Sequence, residues 1–118
     1  MARIVYGVAG EGFGHSSRSH LIGQHLIDTG HDVLFVASGR ALSYLRTHFG
    51  PRVREIFGLR LIYQDRTLSA ARTAVANLRR FCESGHVNRT LYRTVLEPFE
   101  PDLVLSDLEP FSAWWAWR

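Results

Sequence analysis

The sequence contains no lysine, and all 14 basic side chains among its 118 residues are arginines. This absence excludes a phosphate-loop lysine, a Schiff-base lysine and a lysine general base. A single cysteine, Cys82, excludes an internal disulfide and a cysteine-based zinc site. No apolar run approaches the roughly 18 residues that a membrane-spanning helix needs. We therefore expect a cytoplasmic protein whose chemistry uses neither lysine nor paired cysteines.

The charge of the chain gives little indication of a nucleic-acid partner. The formal net charge is +3, the arginines are spread along the chain, and basic residues do not interleave with aromatic ones. The six histidines include no pair at the i, i+4 spacing of a helical zinc site. We predict no nucleic-acid partner, no metal, and a solvated arginine surface.

Apolar β-type runs alternate with segments of helical spacing along the chain. The β-type runs are 4–9, 32–37, 53–57 and 102–107. The helical segments are 15–29, 40–49 and a long region up to about 96. This alternation predicts an α/β fold, a Rossmann-like doubly wound parallel sheet with helices on both faces, in three α/β/α layers.

The middle of the chain is less regular. Residues 59–63 follow the third β-type run as an irregular or hairpin extension, and 64–68 are polar enough for a loop. The long helical region is interrupted near Gly85, so either two helices or one kinked helix is expected. Pro98 and Pro101 are expected to end it.

A glycine-rich turn lies where the first strand passes into the first helix. Glycines occupy alternate positions there, at Gly10, Gly12 and Gly14. Without Cβ atoms, this backbone can adopt positive φ and a ligand can approach it closely. The first free N–H groups of the helix and the positive end of its dipole come next, at His15, Ser16 and Ser17. The sequence therefore predicts an anion site at this turn.

A histidine and an aspartate are placed to meet beside this turn. Ligands of open parallel sheets lie at the carboxyl ends of the strands, where His15 follows the first strand and Asp107 ends the fourth. If these strands are neighbours, the aspartate fixes the tautomer of an imidazole that acts as general base. The alternatives are a helix-capping role for His15 and, for Asp107, capping of the last helix.

Two other chemistries fit the residues poorly. A dinucleotide fold needs Gly-x-Gly-x-x-Gly, whereas the order here is Gly-x-Gly-x-Gly-His, and no acidic residue follows the second strand at 36–39. Ser16 and Ser17 do not lie in a Gly-x-Ser-x-Gly elbow, so anion contact or N-capping is preferred over a nucleophilic role.

The glycine-rich segment 10–18 and the segment 101–110 together resemble the N-terminal half of GT-B-fold glycosyltransferases. The likeness is closest to relatives of the peptidoglycan N-acetylglucosaminyltransferase and the UDP-glucuronosyl and glucosyltransferases. It implies an inverting transfer in which His15 deprotonates an acceptor hydroxyl with help from Asp107. It also implies that a sugar or lipid-linked acceptor, including its phosphate, contacts the turn and the end of the fourth strand. The residues expected there are Gly10, Gly12, Phe13, Gly14, Ser16, Ser17 and Glu109.

In this family a C-terminal domain binds the nucleotide sugar, and residues 1–118 do not include that domain. The resemblance therefore implies that residues 1–118 are the N-terminal domain of a longer enzyme, inactive alone and without a cofactor of its own. The three tryptophans from Trp114 onwards are expected to promote self-association. The arginine and apolar residues between Arg52 and Arg66 could rest on an anionic membrane surface. A core strand with solvated arginines explains them equally well. The alternative function is a stand-alone module that binds a phosphorylated or glycosylated ligand without chemistry.

Overall fold

A parallel sheet with helices on both faces forms the body of the protein in the computed structural model, which describes residues 1–11, 13–58 and 63–117. In chain order the elements are β1 (Arg3–Val8), α1 (Phe13–Asp28), β2 (Asp32–Ala37), α2 (Gly39–Phe49), β3 (Val53–Glu55), β4 (Tyr63–Gln64), β5 (Thr67–Leu68), α3 (Ala70–Leu91), α4 (Glu97–Phe99), β6 (Leu103–Asp107) and α5 (Pro110–Ala116). The predicted α/β class is confirmed.

The strand order is β3-β2-β1-β6, and all neighbours in this sheet run parallel. The expected adjacency of the first strand and the strand at 103–107 is therefore confirmed. The pairing places Val8 opposite Asp107, and the backbone N–H of Ala9 donates to the carbonyl of Asp107 at 3.0 Å. The carboxyl ends of β1 and β6 consequently share one edge of the sheet.

Alternating side chains of the central strands supply two cores, one on each face. The core under α1 and α2 includes Ile4, Tyr6, Val33, Phe35, Leu45 and Phe49. The core under the opposite helices includes Val5, Leu34, Val36, Leu96 and Trp115. Because β1 and β2 are buried on both faces, their residues are apolar without alternation. This arrangement confirms the three predicted layers.

The loop predicted at 64–68 is wrong, because β4 and β5 pair there as a short antiparallel hairpin. Its two turn residues, Asp65 and Arg66, have φ angles of 49° and 65°. Positive φ at both central positions matches the right-handed twist of a tight hairpin. Of the predicted extension, residues 59–62 lie outside the described part of the chain.

The long helix is also more regular than predicted, since α3 runs through Gly85 without a break. One glycine costs a helix only about 1 kcal/mol relative to alanine, and the side-chain amide of Asn88 ties α3 to Phe57. It donates to the Phe57 carbonyl and accepts from the Phe57 N–H, at 3.0 and 2.9 Å. The irregularity comes later, as a π turn at Tyr92–Leu96.

Pro98 does not end the helical region as predicted. It lies within helical backbone that continues from the π turn through α4 to Phe99, two residues before Pro101. Glu100 ends the helix in the left-handed conformation, with φ 49°. No helix within the described ranges has the length and hydropathy needed to cross a membrane.

Candidate functional site

The turn between β1 and α1 packs against the turn between β2 and α2. A Cβ atom on Gly10 would lie 2.6 Å from the backbone oxygen of Ser38, so only glycine fits there. Gly39 has φ +56°, and a Cβ on it would lie 3.1 Å from the carbonyl oxygen of Gly10. Neither Gly10 nor Gly14 has a positive φ angle. Gly12 lies outside the described residues.

The first turn of α1 carries the other residues predicted at the anion site. A Cβ on Gly14 would meet no atom within 4 Å, so this part of the backbone faces open space. Ser17 is exposed and its hydroxyl donates to the Gly14 carbonyl at 3.3 Å, whereas Ser16 is buried. Phe13 begins the helix, and its side chain is outside the description. A ligand would therefore meet Gly14 and Ser17 before it met Ser16.

The structure brings His15 and Asp107 together although 92 positions separate them. Nδ1 of His15 lies 2.9 Å from Oδ1 of Asp107, and about a quarter of the imidazole is exposed. A carboxylate accepts hydrogen bonds only, so we assign the hydrogen to Nδ1. This tautomer leaves Nε2 with a free lone pair for a proton.

Two further side chains of α1 bind the Asp107 carboxylate. Arg18 donates from Nη2 to Oδ1 at 2.6 Å and from Nε to Oδ2 at 3.1 Å. Ser19 donates its hydroxyl to Oδ2 at 3.2 Å. Each carboxylate oxygen therefore accepts two hydrogen bonds.

The electrostatics of this cluster keep Asp107 ionised. Burial alone raises the pKa of its carboxyl, but the hydrogen bonds and charges of Arg18 and His15 outweigh burial and lower the pKa below its ordinary value. The hydrogen bond to Asp107 and its charge raise the pKa of Arg18 in turn. Arg18 Nη2 also lies 3.2 Å from Nδ1 of His15. We assign its hydrogen bond to Asp107 Oδ1, because that contact is shorter and joins a cation to an anion.

Arg18 and Ser19 were not among the residues that the sequence pattern selected. Residues at i, i+3 and i+4 share one face of a helix, so the spacing of His15, Arg18 and Ser19 was the available signal. Using it requires knowing that this face of α1 lies toward β6. That knowledge comes from the strand order.

Glu109 has a well-defined structural role one residue beyond Leu108. It is buried at the N-cap of α5, where one carboxylate oxygen accepts from the Phe111 N–H at 3.0 Å and the other from the Ser112 N–H at 2.6 Å. The alternative in which Asp107 caps this helix is wrong, since Glu109 does so. The oxygens of Glu109 are therefore occupied by backbone donors.

A cavity of about 400 Å³ opens elsewhere, beside the amino end of β6. It lies between the π turn, β6 and α5, with Tyr92, Leu103 and Trp115 in its wall. Neither His15 nor Asp107 contributes to it. In the part of the chain that the structure describes, no group of three histidine, cysteine, aspartate or glutamate side chains is arranged to hold a metal ion.

A family model described as glycosyl transferase family 1 matches residues 2–118. No curated protein and no solved structure matches the chain. The family match covers the glycine-rich turn, the His15–Asp107 pair and every described element.

Proposed function

The chain belongs to glycosyl transferase family 1, and we propose that it is the acceptor-binding half of an inverting enzyme. In this proposal the enzyme transfers a sugar from a nucleotide sugar to an acceptor hydroxyl. The observation that carries the proposal is the 2.9 Å contact of His15 and Asp107 at the carboxyl ends of two neighbouring strands. A second domain, outside residues 1–118, supplies the donor-binding residues.

His15 acts as the general base in this mechanism. Its Nε2 takes the proton of the acceptor hydroxyl while the oxygen forms a bond to the anomeric carbon of the donor sugar. The bond between that carbon and the nucleotide phosphate breaks, and the nucleoside diphosphate leaves with the bonding electrons. A single displacement from the opposite face inverts the anomeric configuration.

Asp107 supports this step through its charge and its position. It holds the Nδ1–H of His15, so that Nε2 faces the acceptor, and its negative charge stabilises the imidazolium that forms. Arg18 and Ser19 keep the carboxylate ionised and fixed in place. The low pKa of Asp107 supports this assignment, because a protonated aspartate could not stabilise the imidazolium.

The glycine-rich turn completes the acceptor site. Gly14 leaves open space at the first turn of α1, where the positive end of the helix dipole favours an anionic or strongly polar group. An acceptor that carries a phosphate or a sugar hydroxyl would bind there with its reactive oxygen at His15.

Sugar transfer by the protein that the full reading frame encodes tests this proposal. A panel of UDP- and dTDP-sugars is assayed with wild type and with His15→Ala. Loss of a general base lowers kcat by about 10²-fold or more. His25→Ala is the matched control, because His25 is exposed in the last turn of the same helix, and it should leave turnover unchanged.

Two outcomes would contradict the proposal. If His15→Ala retains wild-type turnover, His15 is not the general base. Absence of turnover with every donor, together with binding of a phosphorylated or glycosylated ligand at Gly14, would favour the stand-alone binding module.

A further inference from the structure

Leu108, the residue after Asp107, has an unusual backbone and an unusual environment. Its φ angle is +54°, a region that a branched apolar residue enters only at an energetic cost. The residue is 75% exposed. The other non-glycine residues with positive φ in the described ranges are all polar, namely Asp65, Arg66 and Glu100.

The backbone on both sides of Leu108 is held firmly. The carbonyl of Asp107 accepts from the Ala9 N–H at 3.0 Å, which ties it to β1. The carbonyl of Glu109 accepts from the Ser106 hydroxyl at 2.7 Å, and the Glu109 carboxylate caps α5. These contacts impose the left-handed conformation on Leu108, so the site retains a strained, exposed apolar side chain where glycine or asparagine would fit without strain.

The position of Leu108 relates it to the reaction. Neighbouring Cα atoms lie about 3.8 Å apart, so Leu108 stands next to the aspartate that binds His15. A single exposed leucine has no special meaning on a protein surface. Leu108 differs in that its backbone is held in a strained conformation directly beside the catalytic pair, and an apolar group bound there would remove its exposed side chain from water.

We propose that Leu108 is a specificity-determining residue that packs against an apolar group next to the reactive hydroxyl of the acceptor. The inference rests on the proposed function, because it uses the hydroxyl that His15 deprotonates. It identifies the acceptor class as molecules with an alkyl or aromatic group close to that hydroxyl. A fully hydrophilic sugar acceptor would leave Leu108 in water and bind more weakly.

A matched pair of acceptors tests the inference in the protein of the full reading frame. Glucose and octyl β-glucoside share the hydroxyls on every ring position except the anomeric one, where the glycoside carries its alkyl chain. Wild type is expected to have the lower KM for octyl β-glucoside. Leu108→Gly should raise that KM about ten-fold or more, the usual effect of losing an apolar contact in a binding site, and leave the KM for glucose unchanged. Leu108→Met should retain the preference.

Glu100→Gly is the control for relief of backbone strain. Glu100 also has positive φ, but it lies at the end of α4, and its exposed side chain pairs with Arg3. This variant should leave both KM values unchanged. Leu108→Gly can adopt positive φ without strain, so the variant is expected to fold.

The outcomes separate this inference from the proposed function. Transfer that depends on His15 but shows the same ratio of KM values in wild type and Leu108→Gly overturns the role of Leu108 alone. If no acceptor is glycosylated, the proposed function fails, and equilibrium binding of octyl β-glucoside decides the role of Leu108. Binding that weakens ten-fold in Leu108→Gly supports the apolar contact, and equal binding overturns it.

Discussion

Replacing Asp107 by asparagine removes the negative charge beside His15 but keeps the shape of the side chain, so it tests the two contributions separately. The two side chains have nearly the same volume, so the buried position is neither opened nor overfilled. Each carboxylate oxygen accepts one N–H of Arg18, so the amide NH₂ meets an arginine donor in either orientation. The orientation that keeps an oxygen toward His15 loses only the contacts of Arg18 Nε and Ser19 at Oδ2. The variant can therefore hold the imidazole but cannot offset its charge.

The expected effect on sugar transfer is a fall in kcat of about 10²- to 10⁴-fold, the range for loss of general acid–base assistance. At 1.36 kcal/mol for each factor of ten, this equals about 2.7 to 5.4 kcal/mol of lost transition-state stabilisation. KM for the acceptor should change little, because the acceptor meets His15 rather than Asp107.

Steady-state kcat at saturating acceptor, measured for both single variants and the double variant with His15→Ala, makes the prediction quantitative. Two residues that act as a unit give strongly non-additive losses, so the double variant should be no slower than the slower single variant. Asp102→Asn is the control, because Asp102 lies at the opposite end of the same strand segment and binds the Arg3 N–H at 2.8 Å. An Asp107→Asn enzyme within about three-fold of wild type, or losses that multiply, would refute the reasoning.

Three further predictions concern stability, each followed by reversible unfolding in denaturant. Gly10→Ala forces a Cβ against the Ser38 carbonyl and should cost about 1–3 kcal/mol, whereas Gly14→Ala meets open space and should be neutral or stabilising. Glu109→Ala removes the cap of α5 and should cost about 1–2 kcal/mol; a smaller loss than in Ser69→Ala, whose exposed cap bond is 3.4 Å long, would contradict the capping role. Burial and the charge of His48 lower the pKa of His20 in the folded protein, so the unfolded chain binds its proton first and stability should fall as pH drops below about 6.5. His20→Gln should reduce this loss of stability at low pH, and His25→Gln should not. If wild type and His20→Gln lose the same stability as the pH falls, His20 is not the group responsible.

The periodicity of the sequence was sufficient to predict most of the fold, because buried parallel strands and amphipathic helices space their apolar residues differently. The second strand was predicted without error at 32–37, since an unbroken apolar run between Gly30 and Gly39 has few other interpretations. The hairpin at 63–68 was missed because its strands are only two residues long. The helix through Gly85 was missed because packing outweighs a single unfavourable residue.

The sequence by itself determined that glycines, a histidine and an aspartate would lie at the carboxyl ends of strands, since apolar spacing sets where each strand stops. Only the tertiary structure decided which side chains meet there. The order of β1 and β6 places Asp107 against His15, Arg18 and Ser19. Such contacts join residues about 90 positions apart. Their energies depend on distance and burial, which local sequence patterns do not encode.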